Sequence, residues 1–217
     1  MSGHCLTKRE MSTDTASRDA LAAALGRKVI YAHLSLGFAH PSEALMELVG
    51  NSCELPEGAL GDALRRMRET ALAAGLDELR RSYMRVFDQR VQPSPVEAEF
   101  RTDHFQQRTH MLADLMGFYK AFGSIPRNER ADHIACEVDF LNLLSFKEAA
   151  AIENNMPEQA EISAGARRTF LSEHLFCWYA DVIDIIRTRA QTPQDDFYPA
   201  LADVLDETMR EEKGAQE

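Results

Sequence analysis

Long apolar runs and paired cysteines are both missing from this sequence. No stretch of about 18 apolar residues occurs, which is the length that a membrane-spanning helix requires. The N-terminal segment also contains no apolar run of the kind that a secretory signal peptide carries. The four cysteines, Cys5, Cys53, Cys136 and Cys177, form no CxxC pair, which predicts reduced thiols rather than disulfides. Together these features predict a cytoplasmic protein without a membrane span.

The motifs on which many enzymes depend are absent as well. There is no GxGxxG or GxxxxGK(S/T) phosphate-binding loop, no GxSxG nucleophile turn and no HExxH zinc motif. The ExxH pair that di-iron helical bundles use is also missing. We therefore expect a binding protein and not an enzyme, and we expect no cofactor of its own.

Positive charge is scarce relative to negative charge. The chain has 24 Lys and Arg against 35 Asp and Glu, which gives a net charge of −11. An acidic surface repels nucleic acid and anionic lipid, so neither is expected as a partner. The acidic surplus suits a basic protein partner, or it serves solubility alone.

Glycine is sparse too, with 11 in 217 residues, and no alternating strand pattern with hairpin turns occurs. Apolar residues instead recur at three- and four-residue steps, as in Leu21, Leu25 and Val29, which predicts amphipathic helices. The predicted fold class is all-α. It is either a single helical bundle-like domain or two lobes joined by a hinge loop.

The domain boundaries follow from the same pattern. Residues 1–15 are polar and expected to be flexible, residues 16–211 form the helical domain, and residues 212–217 form a charged tail. Two loops interrupt the domain, at 88–103 and at a hinge loop over 123–131. Exchange of lobes around such a hinge gives a swapped dimer, so both a monomer and a swapped dimer are consistent with the sequence.

Individual residues predict where several helices begin and end. Pro41 and Pro157 suit the first turns of helices because their φ is fixed, and the helix from Pro157 is predicted to continue through Ile185. Gly75 is predicted to separate two helices. Asp132 is a candidate N-cap, because its carboxylate can accept the unpaired amide protons of a helix start.

The segment 88–103 differs from its surroundings. Pro93 and Pro95 exclude a regular helix there, while Val96 and Phe100 offer apolar anchors. Loops of this length inside a compact domain are usually functional or disordered, and the aromatic content argues against disorder. The segment is therefore predicted to be a structured, functional loop.

One group of residues has the spacing of a metal site. His133 and Glu137 lie four residues apart on one helical face beside Asp132, and His174 or His104 offers a third ligand. The same residues are also explained as a capped helix with an i,i+4 pair. Because zinc sites normally need three or four ligands, no metal site is expected.

Three sequence blocks occur in order along the chain. The first joins YMRVF at 83–87 to PSPVEAEF at 93–100, the second is DHIACEVDFL at 132–141, and the third joins FLSEHLFCW at 170–178 to FYPAL at 197–201. Together they resemble the TorD/DmsD/NarJ family of redox-enzyme maturation chaperones over nearly the whole chain. The blocks are most similar to its nitrate reductase-like, type II DMSO reductase subgroup.

The resemblance implies an all-helical protein that binds molybdoenzyme precursors in the cytoplasm, often through a twin-arginine signal peptide. Such a chaperone holds the catalytic subunit until the molybdopterin cofactor is inserted, and so prevents premature export. Two positions depart from the family pattern. Ala131 stands where the family has a proline before the Asp-His pair, and Val96 stands where the loop has a tyrosine.

A receptor for such a peptide needs carboxylates beside an apolar groove, because the peptide has a cationic start and an apolar middle. The candidate carboxylates are Glu97, Glu99, Asp132, Glu137 and Asp139, and the candidate apolar walls are Tyr83, Phe87, Phe100 and Trp178. Pro95 and His133 join the candidate partner-binding residues because they belong to the blocks that carry the resemblance.

These candidates also have purely structural interpretations. Tyr83, Phe87 and Trp178 fit helical stripes, so periodicity favours core packing over partner contact. Periodicity likewise favours His133 as a core histidine bound to a backbone carbonyl. The Glu173–His174 pair is interpreted as an exposed pair on an outer helix face.

Three functions follow from these alternatives. The leading one is a chaperone for a molybdoenzyme catalytic subunit. The second is a helical adaptor or scaffold that binds another protein helix, and the third is a small metal-dependent enzyme built around His133. Co-purification of a molybdopterin-binding subunit distinguishes the first from the second, and metal analysis tests the third.

Overall fold

The structure is a computed structural model that describes residues 8–51, 55–87, 94–102, 104–126 and 129–216, with side chains described from residue 15 onward. Helices dominate this part of the chain. They are α1 (Lys8–Phe38), α2 (Glu43–Gly50), α3 (Ala59–Phe87), α4 (Ala98–Arg101), α5 (Phe105–Ala121), α6 (Ile134–Glu153), α7 (Pro157–Glu173), α8 (Tyr179–Arg189) and α9 (Phe197–Gly214). No strand occurs among the described residues, and the predicted all-α fold class is confirmed.

Two pairs of helices form the centre of the molecule. α1 packs along α6, and α3 packs along α9, while α7 covers α6 and α8 covers α9. The core between them contains fully buried apolar side chains such as Leu34, Phe38, Leu141, Leu144 and Leu201. Each such side chain contributes about 1.5–3 kcal/mol by leaving water, so the apolar faces that the sequence pattern predicts hold these helices together.

The helical region extends further than the sequence predicts. α1 begins at Lys8 and α9 ends at Gly214, against predicted limits of residues 16 and 211. Glu212, the first residue of the predicted charged tail, is buried. The Tyr31 hydroxyl donates to Glu212 at 2.8 Å, and Arg167 forms an ion pair with the other carboxylate oxygen. Glu212 therefore joins α9 to α1 and α7.

A backbone turn at Gly75 divides α3. Its φ of 71° and ψ of 166° lie outside the helical region, in a part of conformational space that essentially only glycine enters. The boundary predicted at Gly75 is therefore confirmed, although the next helical stretch follows directly.

The continuous helix predicted from Pro157 to Ile185 is interrupted, so that prediction is wrong. α7 ends at Glu173, and a short 3-10 turn separates it from α8. His174 and Trp178, at the two ends of this turn, have non-helical backbone angles, and both side chains are buried. The interruption places both residues in the interior beside the segment 94–102.

The described part of the predicted loop, residues 94–102, is structured. Val96 is buried and forms an isolated antiparallel bridge with His133, and the short helix α4 follows. Phe100 is half-buried. The remainder of the predicted loop lies outside the described residues.

Two further sequence predictions concern the membrane and the cysteines. Among the described helices, none combines the length and the apolar character needed to cross a bilayer. Cys136 and Cys177 are free thiols, while Cys5 and Cys53 lie outside the described residues.

Candidate functional site

Backbone hydrogen bonds join the loop block to the start of α6. The Glu97 N–H donates to the Asp132 carbonyl at 2.8 Å, and the Ile134 N–H donates to the Pro95 carbonyl at 3.1 Å. Pro95 suits its place, because proline lacks an N–H but keeps a carbonyl acceptor. Two of the three sequence blocks therefore lie side by side, with Glu97 and Asp132 at their junction.

Glu97 is fully buried and lies between two basic groups. Arg101, one helical turn further on, forms an ion pair with Oε1, and His174 Nδ1 lies 3.1 Å from Oε2. The Arg101 guanidinium also donates to the Glu173 carbonyl at 2.7 Å. These contacts offset the cost of removing the carboxylate from water, so the charge of Glu97 is engaged within the protein.

Glu137 is also fully buried, on α6. The Trp178 indole Nε1 donates to Oε2 at 3.1 Å, and Oε1 has no hydrogen-bond partner among the described residues. Burial raises the pKa of Glu137 well above its usual value, and the neighbouring Glu97 carboxylate raises this pKa further. Burial therefore favours the neutral acid over the carboxylate, and the neutral acid can donate its proton toward Glu97.

Asp132 is buried and forms a two-point ion pair with Arg130. The guanidinium donates from Nε to Oδ1 at 3.0 Å and from Nη2 to Oδ2 at 2.8 Å. A bidentate pair of this kind satisfies a carboxylate well. The residue that caps α6 is His133, so the prediction that Asp132 is the N-cap is wrong.

His133 caps α6 through Nδ1, which accepts the Ala135 N–H at 3.2 Å. Burial of the ring lowers the pKa of His133 to about 4, and the nearby Asp132 carboxylate opposes this shift. The ring is therefore neutral at pH 7, as a cap that accepts through Nδ1 requires. The core-histidine interpretation is correct, except that the backbone partner is an N–H rather than a carbonyl.

The remaining loop candidates shape the segment 94–102. The Phe100 ring stacks on Trp178, with centroids 5.7 Å apart and planes inclined by 22°. The Glu99 carboxylate accepts the Ser94 N–H at 2.7 Å. Pro95 is buried. These contacts hold the loop segment against the turn between α7 and α8.

Tyr83 and Phe87 belong to an aromatic cluster between α3 and α9. Their two ring centroids lie 5.2 Å apart. The Tyr198 ring centroid lies 6.4 Å from that of Tyr83 and 5.2 Å from that of Phe87. His40 lies 5.2 Å from Tyr83. Burial raises the pKa of Tyr83 to about 12, with a smaller contribution from Glu129. Phe87 is a core residue, whereas the half-buried Tyr83 lies next to His40 at the end of α1.

A cavity of about 460 Å³ opens between the end of α1, the hinge loop and the first turns of α6. We call it the hinge groove. It is lined by Ser35, Leu36, Ala39, His40, Ser42, Tyr119, Ser124, Ile125, Pro126, Glu129, Ala135, Cys136 and Asp139.

The hinge groove combines apolar surface with carboxylates. Ile125 is 72% exposed, and Glu129 and Asp139 contribute the acidic groups. Burial raises the pKa of the Cys136 thiol to about 12, so this cysteine is protonated and a poor nucleophile. Of the candidates named from the sequence, only Asp139 lines the groove. The other groove residues were not predicted from the sequence, and the signal that could have found them is an apolar Ile125 within a polar, charged loop.

The sequence interpretation placed His174 in an exposed pair and named it as an optional third metal ligand, and the structure corrects its exposure. The His174 side chain is buried, with 2% of its surface exposed, whereas its neighbour Glu173 is exposed as expected. Among the described residues, the grouping of potential metal ligands is Asp114, Glu173 and His174. Among these residues, His133 and Glu137, which the sequence offered as metal ligands, do not belong to a grouping of potential ligands.

Comparisons with known proteins identify relatives of stated role. The nitrate reductase delta subunit family matches residues 54–184. The chain is 30% identical over 164 residues to the chlorate reductase assembly chaperone protein of Ideonella dechloratans. This alignment covers 71% of this chain and 82% of that protein. It is also 30% identical over 119 residues to the perchlorate reductase assembly chaperone protein of Dechloromonas aromatica (strain RCB), which covers 52% of this chain and 51% of that protein.

The family match spans more than half of the chain and includes the blocks around Glu97, Asp132 and His174. The similar proteins are assembly chaperones and not catalysts, so the expectation of a non-enzyme is confirmed. The resemblance found from the sequence blocks is confirmed as well. The chain belongs to the nitrate reductase delta subunit family of molybdoenzyme maturation chaperones.

Proposed function

We propose that this protein is a cytoplasmic chaperone that binds the precursor of a molybdoenzyme catalytic subunit and holds it while the molybdopterin cofactor is inserted, before export. The observation that carries the proposal is the similarity to the chlorate reductase assembly chaperone over 82% of that protein's length. An oxyanion reductase is accordingly the class of client that we propose.

The hinge groove is the contact surface that we propose for the client's signal peptide. Its volume of about 460 Å³ is within the range of about 300–1,000 Å³ that ligand pockets have, so it admits a few side chains and not a folded domain. Leu36 and Ile125 supply apolar surface, and Glu129 and Asp139 supply negative charge. This combination complements a helix with a cationic start and an apolar middle.

The buried candidates named from the sequence stabilise the elements that line the groove. Glu97, Asp132, Glu137 and Trp178 are each at most 1% exposed, so in this conformation they present no surface to a partner. Their contacts fasten the segment 94–102 and the end of the hinge loop to α6, and α6 lines the groove. We therefore propose a positioning role for these residues and direct contact for the groove residues.

The proposal is tested by removing the two groove carboxylates together, as Glu129→Gln with Asp139→Asn. The probe is a synthetic peptide with two adjacent arginines followed by an apolar helical stretch, titrated by calorimetry. We expect about five- to tenfold weaker binding, because exposed charge pairs contribute about 0.2–1 kcal/mol each. Raising the salt concentration should weaken wild-type binding without abolishing it, since the apolar contact persists.

The matched control is Glu153→Gln with Glu158→Gln, which removes the same charge from exposed positions at the end of α6 and the start of α7. A peptide with both arginines replaced by glutamine controls for the cationic start. Equal affinity of the two double variants for the peptide would exclude the hinge groove as its site. Purification of the chain from its host without any molybdopterin-binding subunit would contradict the chaperone proposal itself.

A further inference from the structure

The environment of His174 leaves one ring nitrogen without a hydrogen bond. The ring is 2% exposed and packs against Phe118 and Phe170, at centroid distances of 5.7 and 4.9 Å. Nδ1 lies 3.1 Å from the Glu97 carboxylate. Nε2 is buried and makes no hydrogen bond among the described residues, although Asp114 Oδ2 lies 3.2 Å away. The Asp114 oxygen is thus close to Nε2 without the geometry of a hydrogen bond.

Two carboxylates lie close to the His174 ring. The ligand atoms of Asp114, Glu173 and His174 all lie within 4.8 Å of one another. The Asp114 side chain is 59% exposed, and Glu173 is exposed as well. Both carboxylates are therefore accessible to an ion from solvent, beside the buried Nε2.

The spacing is compatible with two ligands of one metal ion. Zinc binds histidine nitrogen and carboxylate oxygen at about 2.0–2.2 Å, and two such ligands in a tetrahedron lie about 3.3–3.5 Å apart. The distance from Nε2 to Asp114 Oδ2 is 3.2 Å, close to that edge length. A metal ion also needs no hydrogen atom on the line between Nε2 and the oxygen.

The second ring nitrogen is arranged as in known metal sites. A metal-bound histidine almost always donates its other N–H to a carboxylate or a carbonyl, which fixes its tautomer and its orientation. Here Nδ1 faces Glu97, and Glu97 is held in turn by Arg101. Arg101 offsets the charge of Glu97, so the carboxylates of Asp114 and Glu173 remain to be balanced by a divalent cation.

We propose that Asp114, Glu173 and His174 bind a divalent transition-metal ion of the zinc type, with Glu97 as the carboxylate that orients His174. Three protein ligands leave a coordination position open to water. The ion links α5 to the end of α7, and α5 has only two fully buried side chains among the described residues, Leu115 and Tyr119. This proposal departs from the expectation of no metal, which came from the incomplete ligand set around His133.

The test is calorimetric titration of the tag-free, chelator-treated full chain with zinc chloride in a non-chelating buffer. We expect one ion per chain, with a dissociation constant in the micromolar range or tighter, and a rise in melting temperature on zinc addition, because a ligand that binds only the folded state stabilises it. Asp114→Ala and Glu173→Ala should each weaken binding at least tenfold. The control His110→Ala removes an exposed histidine from the same helix and should leave binding unchanged.

Two results would overturn the proposal. The first is no saturable binding by the wild type up to 1 mM zinc, which is on the order of the dissociation constants of the weakest divalent-cation sites in proteins. The second is equal zinc affinity of the wild type and Asp114→Ala. The exposed residues decide the question, because His174→Ala also removes a buried ring and can unfold the protein. Circular dichroism verifies that the Asp114 and Glu173 variants remain folded. The measurement uses no client, so its outcome is independent of the proposed chaperone function.

Discussion

Burial divides the acidic side chains of this protein into two groups. Glu97 and Asp132 are fully buried and ion-paired, and the buried Glu137 accepts the Trp178 indole N–H, whereas Asp139 is exposed and Glu129 half-buried in the hinge groove. A buried carboxylate requires internal partners, because removing its charge from water costs several kcal/mol. The buried acids therefore link segments of the chain, whereas the groove acids are available to a cationic partner.

Glu137→Gln should change how stability depends on pH. Since burial raises the pKa of Glu137 above its ordinary 4.5, the folded protein keeps a proton that the unfolded chain releases. The stability from this proton is fully present below about pH 4.5 and is lost as pH rises toward the folded-state pKa. Urea unfolding should be measured between pH 5.5 and 7.5. Over this range the free energy of unfolding of the variant should rise relative to that of the wild type, by up to about 1.4 kcal/mol per pH unit.

The control for this prediction is Glu158→Gln, an exposed acid at the start of α7. The difference in free energy of unfolding between this variant and the wild type should stay constant across the same pH range. A constant difference for Glu137→Gln as well would mean that the Glu137 carboxyl is ionised in the folded protein.

At the scale of elements, the interruptions between helices position the site. The break after Glu173 turns His174 and Trp178 inward, and the bridge between Val96 and His133 fastens the loop segment to α6. The turn at Gly75 redirects α3. Each of these features depends on a few residues with non-helical backbone angles, so single substitutions there test the element boundaries directly.

Gly75→Ala should destabilise the protein by about 1–3 kcal/mol, because its backbone angles are accessible essentially only to glycine. A Cβ at this position meets no atom within 4 Å, so the cost comes from the backbone alone. The measurement is urea unfolding monitored by circular dichroism.

The matched control is Gly26→Ala in α1, where a Cβ also meets nothing within 4 Å but the backbone is helical. This change should stabilise by about 0.5–1 kcal/mol, since glycine loses more conformational freedom than alanine in a helix. Similar effects of both substitutions would contradict the backbone turn at Gly75.

At the scale of the whole molecule, a buried ionic network joins α9 to α1, α6 and α7. Glu212 near the end of α9 contacts Tyr31 on α1 and Arg167 on α7, and Arg167 also lies 3.8 Å from Glu148 on α6. Four helices therefore meet at one buried ionic network. Breaking such a network from one side leaves a buried charge uncompensated.

Glu212→Ala should destabilise the protein by about 3 kcal/mol, because it leaves the buried Arg167 guanidinium and the Tyr31 hydroxyl without their closest acceptor. Thermal and urea unfolding measure the loss. Glu211→Ala, one residue earlier and exposed, should stay within about 0.5 kcal/mol of the wild type. Equal effects of the two substitutions would show that the network does not contribute to stability.

The features that the sequence alone determined depend on neighbours along the chain. The three- and four-residue spacing of apolar side chains predicted the helices, because each helix buries its own stripe. The boundary at Gly75 was predicted because a glycine lies between two helical stripes. The sequence blocks around Asp132 and Phe170 identified the family without any coordinates, since the order of residue types carries that resemblance.

Only the tertiary structure decided which polar side chains are buried and what they contact. Asp132 has the sequence of a helix cap, yet Arg130 and the segment 94–97 enclose it. His174 has the sequence of an exposed residue, yet the break after α7 and the packing of α5 bury it between Glu97 and Asp114. Burial and pairing arise from segments that are distant in the chain. Residue type and local spacing therefore do not specify them, and the hinge groove and the proposed metal site became visible only once the helices were packed.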